Sequence, residues 1–234
     1  MSGVGIVTAL IAEARAVSPR PKGRGVPLTL SDGTLLVVSG IGHAAATSAA
    51  RSLVNAGATA LASFGLAGGL DPRLTVGTVF LPAEVISQHA TFTTSYEWRR
   101  RLSAALTGIQ AVIDGKLLTS STAIAAVDAK AAAFNQTGAS AVDMESIAVA
   151  QIAASHALPF LAVRVIVDTA TDRLPKSVMD ASVAGQLRLW SLIIGLLLAP
   201  TDLSAVVRLA RRYRVANRSL RAVAAMRPLR QVAA

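Results

Sequence analysis

The chain has 234 residues, 53% hydrophobic and 15% charged, with no cysteine and three scattered histidines, His43, His89 and His156. This composition excludes general disorder, a disulfide framework, a thiolate metal site and a cysteine nucleophile, and it argues against a multi-histidine metal site; no metal or cofactor is expected. The net charge of +10 is uneven, because residues 1–202 carry 15 basic and 13 acidic side chains while residues 203–234 carry eight arginines and no acid.

Val4 to Ala9 reads as a first strand, without the basic n-region of a signal peptide, and Ile11 to Val17 as a short helix. Ser18 to Gly25 is a turn-rich loop. Val26–Leu30 and Leu35–Ser39 flank Asp32-Gly33, a hairpin signal. Gly40-Ile41-Gly42 opens a helix from His43 to Ala56 that stops at Gly57. Ala60 to Phe64 is a strand running into a glycine-rich turn, Gly65 to Gly69. Gly77–Leu81 and Glu84–Gln88 read as further strands, and the segment 91–140 shows helices near 99–107 and 128–136. After Asp168 come a polar loop to Pro175 and helices near 180–198 and 202–226. The apolar stretch Leu189–Ala199 is too short to span a bilayer, so the expectation is a soluble, cytoplasmic protein that can touch a membrane surface.

Val142 to Asp168 is the most informative stretch. Ile147, Ala148, Ile152 and Ala153 recur at helical spacing from about Met144 to His156, Leu158-Pro159 breaks the pattern, and Phe160 to Val167 suits a strand buried on both faces. A helix of ~13 residues and a strand of ~7 residues each span about 20 Å, so Glu145 and Asp168 finish on one edge. In open α/β sheets that edge is where ligands bind. The first strand brings Glu13 to the same rim, joined by Gly40-Ile41-Gly42 and Gly65–Gly69, whose backbones a ligand can approach closely. Taken singly, each feature has a plain structural reading. Glu13, Asp143 and Glu145 would be first-turn helix acids, Asp168 an N-cap, and each glycine run a tight connection.

Together the motifs GIVTALIAEARAV (5–17), VVSGIGHAAATSAA (37–50), FGLAGGLDPRLTVGTVFLP (64–82), AVDMES (141–146) and LPFLAVRVIVD (158–168) resemble the nucleoside phosphorylase/hydrolase superfamily. The branch most similar is that of the methylthioadenosine/S-adenosylhomocysteine nucleosidases. The resemblance covers about residues 3–172 and implies a three-layer α/β/α sandwich around a twisted mixed sheet, assembled as a homo-oligomer with a dimer favoured. It implies that Asp168 protonates the departing purine, Glu145 binds ribose hydroxyls, Met144 packs beside the sugar, and Glu13 directs the attacking water. Arg164 corresponds to a basic residue near this site, although an ion pair with a neighbouring acid explains it equally well. Gly68 offers a backbone donor. Ile124 stands where a purine-stacking aromatic is usual. Leu66 replaces the usual hydroxyl residue, and no arginine stands near that turn or in Thr8–Glu13. A phosphate dianion would be poorly held without cations, so hydrolysis is expected over phosphorolysis.

Beyond residue 180 that resemblance fades. Residues 1–199 read as the catalytic domain and 200–234 as a basic helical tail, with Val206, Leu209, Tyr213, Ala216, Leu220 and Val223 forming an apolar stripe. Arg208, Arg211, Arg212, Arg214, Arg218 and Arg221 lie opposite. Such a helix suits an anionic membrane surface, or a seat on the domain with its arginines in solvent. One tyrosine and no recognised motif argue against nucleic acid. The tail is similar to that of the hopanoid-associated phosphorylase-like proteins. That likeness implies a lipid-linked adenine nucleoside as partner, adenosylhopane, cleaved to adenine and ribosylhopane. The alternatives are methylthioadenosine or S-adenosylhomocysteine as substrate, a phosphate-dependent reaction on the same lipid nucleoside, and a non-catalytic binder.

Overall fold

Period-two alternation sorts the central strands onto two faces, and a helical layer covers each. The structure, a computed structural model, describes residues 3–109, 111–173 and 203–231. In β1 (Gly3–Thr8), Val4 and Ile6 enter one core and Val7 the other; in β3 (Leu35–Val38), Leu36 and Val38 part from Leu35 and Val37. β11 (Phe160–Asp168) sends Leu161, Val163 and Val165 to the first core, and Phe160, Ala162 and Ile166 to the second. Strands so placed are nearly all apolar, and in the run 160–167 Arg164 is the single polar residue. α1 (Ile11–Val17), α3 (Tyr96–Ala105) and α6 (Leu203–Ala224) close the first core, while α2 (His43–Asn55) and α5 (Ser146–Ser155) close the second. The expected three-layer α/β/α arrangement around a mixed sheet is the observed fold.

The sheet runs β2 (Leu28–Thr29), β3, β1, β4 (Ala58–Gly69), β10 (Ala139–Asp143), β9 (Lys116–Thr119), β6 (Glu84–Ile86) and β7 (Thr91–Thr93). β11 joins the other side of β4, followed by β5 (Val79–Leu81) and β8 (Ala111–Ile113). β1, β3, β4 and β11 are parallel. β1 pairs with β4 only as far as Ser63, and antiparallel β10 takes over at Gly68. The change of neighbour opens a gap in the sheet opposite Leu66, the kind of switch point at which α/β sheets bind ligands.

The structure corrects several expectations. Gly65–Gly69 is not a turn but the second half of β4, and none of its glycines has positive φ. What demands glycine there is close approach by carboxylates. A Cβ on Gly65 would sit 2.7 Å from Glu13 Oε1, and one on Gly68 would sit 3.3 Å from Asp168 Oδ2. The segment 91–140 holds β7, β8 and β9 besides α3 and α4 (Val127–Thr137), and β10 follows where no strand was expected. The Asp32-Gly33 hairpin forms, with Gly33 at φ 84°. The helix expected near 180–198, with the apolar stretch Leu189–Ala199, lies outside the described residues.

The basic tail packs on the domain. Ala216, Leu220, Val223 and Ala224 of α6 are buried in the core closed by α1 and α3. α7 (Arg227–Arg230) contributes Leu229 to that core, and the Trp98 indole donates to the Pro228 carbonyl at 2.6 Å. Arg211, Arg214, Arg218 and Arg221 remain in solvent. Among the described residues, no helix is long and apolar enough to cross a membrane.

Candidate active site

A cleft of about 230 Å³ opens at the sheet gap. Glu13, Gly68, Ile124, Met144, Glu145 and Asp168 all line it, together with Leu10, Ile41, Leu66 and Val167. Six of the seven residues singled out from sequence therefore line one cleft. The seventh, Arg164, lies beneath it.

Glu13 is buried in the first turn of α1, and its carboxylate gathers backbone donors. Oε2 accepts from the N–H groups of Ala9 and Leu10 at 3.0 Å each, and Oε1 from Leu66 at 2.9 Å. The Leu66 donor is available because it lies at the gap between β1 and β10. Burial pushes the Glu13 carboxyl above the ordinary range, opposed by these N–H groups and by the Arg164 charge.

Glu145 stands at the entrance of α5 and its Oε1 accepts from the Gly42 N–H at 2.9 Å, so the Gly40–Gly42 turn and α5 hold one carboxylate between them. Burial, then the nearby Asp143 charge, raises its pKa to about 7. Below it, Asp143 and Arg164 form a buried ion pair, with Arg164 Nη2 at 2.7 Å and Nε at 2.9 Å from Asp143 Oδ2. The same guanidinium donates to Ser63 Oγ at 2.6 Å and Ser146 Oγ at 2.8 Å. Asp143 also accepts from Thr119 Oγ1 at 2.7 Å and from the Ser146 N–H at 3.1 Å, fixing the start of α5. A satisfied network of this kind sets orientation rather than adding much stability. A small void of about 10 Å³ lies between Glu13, Glu145, Arg164 and Ser63.

Asp168 ends β11, 3% exposed. Its Oδ2 accepts from the ammonium of Lys130, a residue with no solvent exposure. Burial raises the Asp168 pKa, while Lys130 opposes that rise. Lys130 also donates to the carbonyls of Thr169 at 2.7 Å and Asp172 at 3.1 Å. Asp172 in turn accepts from the Thr169 N–H and hydroxyl and pairs with Arg212 of α6 at 2.7 Å.

Sequence reasoning missed Lys130, Arg212, and the part played by Asp143. Lys130 is the only buried residue of an alanine-rich helix, and nothing in its neighbours separates it from a solvated lysine. It missed Arg24 as well, whose side chain passes beside Gly40, with Cδ and Nε at 3.7 and 3.9 Å from where a Gly40 Cβ would lie.

A parallel-centred α/β sheet thus carries, at its switch point, a cleft lined by four carboxylate residues, Glu13, Asp143, Glu145 and Asp168, a residue set suited to acid–base chemistry. The Phosphorylase superfamily profile matches residues 11–191, and the chain belongs to that family. No curated protein sequence matches the chain. Among solved structures, the chain is similar to the 5′-methylthioadenosine/S-adenosylhomocysteine nucleosidase of Campylobacter jejuni, with 17% identity and a TM-score of 0.65 over 79% of this chain and 96% of that one. The nucleosidase of Colwellia psychrerythraea in complex with adenine gives 22% identity and a TM-score of 0.63 over 72% and 84%. The futalosine hydrolase of Helicobacter pylori gives 15% and 0.66 over 94% and 96%. These likenesses establish the fold.

Proposed function

We propose that the protein is an N-glycosyl hydrolase that releases adenine from a 5′-substituted adenine nucleoside. The observation that carries the choice of water is the void between Glu13, Glu145 and Arg164, which is on the scale of a single water. In this reading Asp168 protonates the purine as the glycosidic bond breaks and positive charge spreads over the ribosyl ring. Glu145 holds the ribose hydroxyls, Met144 packs beside the sugar, and Ile124 and the Gly68 backbone flank the base. Glu13, oriented by its three backbone donors, takes the proton of the attacking water. Arg164 acts through Asp143 and Ser146, which fix the α5 entrance that carries Glu145, rather than from the cleft wall. The adenine held by the Colwellia nucleosidase supports the choice of base.

The apolar walls formed by Leu10, Ile41, Leu66 and Val167 favour an apolar 5′ substituent. The tail's resemblance supports adenosylhopane, with methylthioadenosine and S-adenosylhomocysteine as competitors and a dimer as the working state. Arg24 beside Gly40 favours a second reading, phosphorolysis, because it supplies a cation beside the Gly40–Gly42 turn. Incubation with each nucleoside, with and without phosphate, tests all of this. Adenine release at a phosphate-independent rate, fastest with adenosylhopane, is expected. Strict dependence on phosphate with ribose 1-phosphate chemistry would defeat hydrolysis, and a preference for methylthioadenosine would defeat the lipid substrate.

A membrane-held substrate also fits the solvent-facing Arg211, Arg214, Arg218 and Arg221, which would meet anionic headgroups. Replacing all four by glutamine leaves the buried face of α6 intact. It should abolish flotation with anionic liposomes while leaving the domain folded; unchanged flotation would remove these arginines from any membrane contact.

A further inference from the structure

We propose that Lys130 is a positioning residue of the reaction, anchoring Asp168 and its loop and setting the pH at which Asp168 gives up its proton. The proposal rests on the reading in which Asp168 is the acid, and goes beyond it by giving that acid a dedicated buried partner on another helix.

The geometry is specific. An ammonium has three N–H donors and no acceptor, and Lys130 spends all three on one short segment: Asp168 Oδ2, the Thr169 carbonyl and the Asp172 carbonyl. A fully buried lysine is costly to retain unless each donor is matched, and an ordinary surface helix such as α4 has no structural need of one. The other charged groups facing Asp168 come from the loop and from α6. Asp172 opposes ionisation of Asp168 and Arg212 favours it, but Arg212 is spent on Asp172 and reaches Asp168 only at second hand. Lys130 is thus the cation in direct contact with the acid. By holding one carboxylate oxygen, it leaves the other free to face the cleft.

The test uses the full-length protein with the nucleoside that proves active. Lys130→Gln keeps two N–H donors and removes the charge; Lys130→Arg keeps the charge. Lys130→Gln should lower kcat about 100-fold, with KM within about threefold. Without its cation Asp168 keeps its proton longer, so the alkaline fall of the kcat profile should move up by about one pH unit or more. Lys130→Arg should return that limb to its wild-type position. A limb that stays in place in Lys130→Gln, or an unchanged kcat, overturns the proposal. If the uncharged variant does not fold, the wild-type Lys130 ammonium resonance decides. Protection from exchange and a shift on adenine binding support the contact, whereas indifference to adenine overturns it. Asp168→Asn separates the two layers. If that variant is fully active, the function reading itself fails; if it is inactive while the Lys130→Gln limb is unmoved, only the role of Lys130 falls.

Discussion

Replacing Asp168 by asparagine is expected to reduce kcat by about 10²–10⁴-fold, the usual contribution of a positioned acid, with KM close to that of the wild type. Asparagine keeps the shape of the side chain and a carbonyl oxygen for Lys130, but has no proton to give. If that oxygen turns toward the ammonium, the NH₂ group faces the base and can still orient it, which is why binding should survive. Some stability is lost as well, because Lys130 loses its counter-charge while staying buried. Breaking a buried pair costs up to about 3–5 kcal/mol, lessened here by the carbonyls of Thr169 and Asp172. Rates must therefore be taken on protein shown to be folded, and single-turnover adenine release is the suitable measurement. Full activity in this variant would remove Asp168 from the acid's role.

The tail bears on the same acid. Arg212 of α6 holds Asp172, Asp172 holds Thr169, and Lys130 of α4 holds both that loop and Asp168. A helix whose buried face is Ala216, Leu220 and Val223 thus turns one charged side chain onto the loop after Asp168 and leaves other arginines facing solvent. One surface of the helix stabilises the fold, one edge braces the loop after Asp168, and the remaining face is open to solvent.

Much of this was readable in the chain because the relevant signals are local. The apolar run 160–167 and the helix before it put Glu145 and Asp168 on one edge, and both do reach one cleft, although α5 spans ten residues (about 15 Å) and β11 nine (about 30 Å), so the expected match in length does not hold. Glu13 followed from the strand that precedes it. The glycines of 65–69 were read as a turn because glycine is the residue turns require; only the three-dimensional proximity of Glu13 and Asp168 shows that a strand needs them there. The short strands of 91–140 offer three or four residues each, too few for a period to emerge. Arg164 could equally have met substrate or a neighbouring acid, and the structure shows it paired with Asp143. Lys130 was invisible because its partners lie about forty residues away, and a lysine on a helix looks the same in sequence whether it faces water or an aspartate.

Glu13→Gln is expected to lose about 10²–10³-fold in kcat, since the amide cannot accept a proton from water. It should also destabilise the protein, for a reason written in its hydrogen bonds. Both Glu13 oxygens accept from backbone N–H groups, Oε2 from Ala9 and Leu10 and Oε1 from Leu66. A glutamine can present its carbonyl to only one of these sides. Its NH₂ group then points at an N–H donor, most cheaply at the single one of Leu66. Leaving that buried donor unsatisfied costs about 1–3 kcal/mol, which at this chain length lowers Tm by roughly 2–12 °C. The pH profile supplies the readout that mere loss of stability would not give. Glu13 must be ionised to act as the base, and burial raises its pKa, so activity in the wild type should rise through a limb above the ordinary glutamate range. Asp168 must be protonated, and its raised pKa sets the fall on the alkaline side, giving a bell. Glu13→Gln should erase the rising limb assigned to Glu13 and leave the falling one in place. A bell that survives unchanged would assign the base to another group, and Glu145, held near 7, would be the first to test by Glu145→Gln.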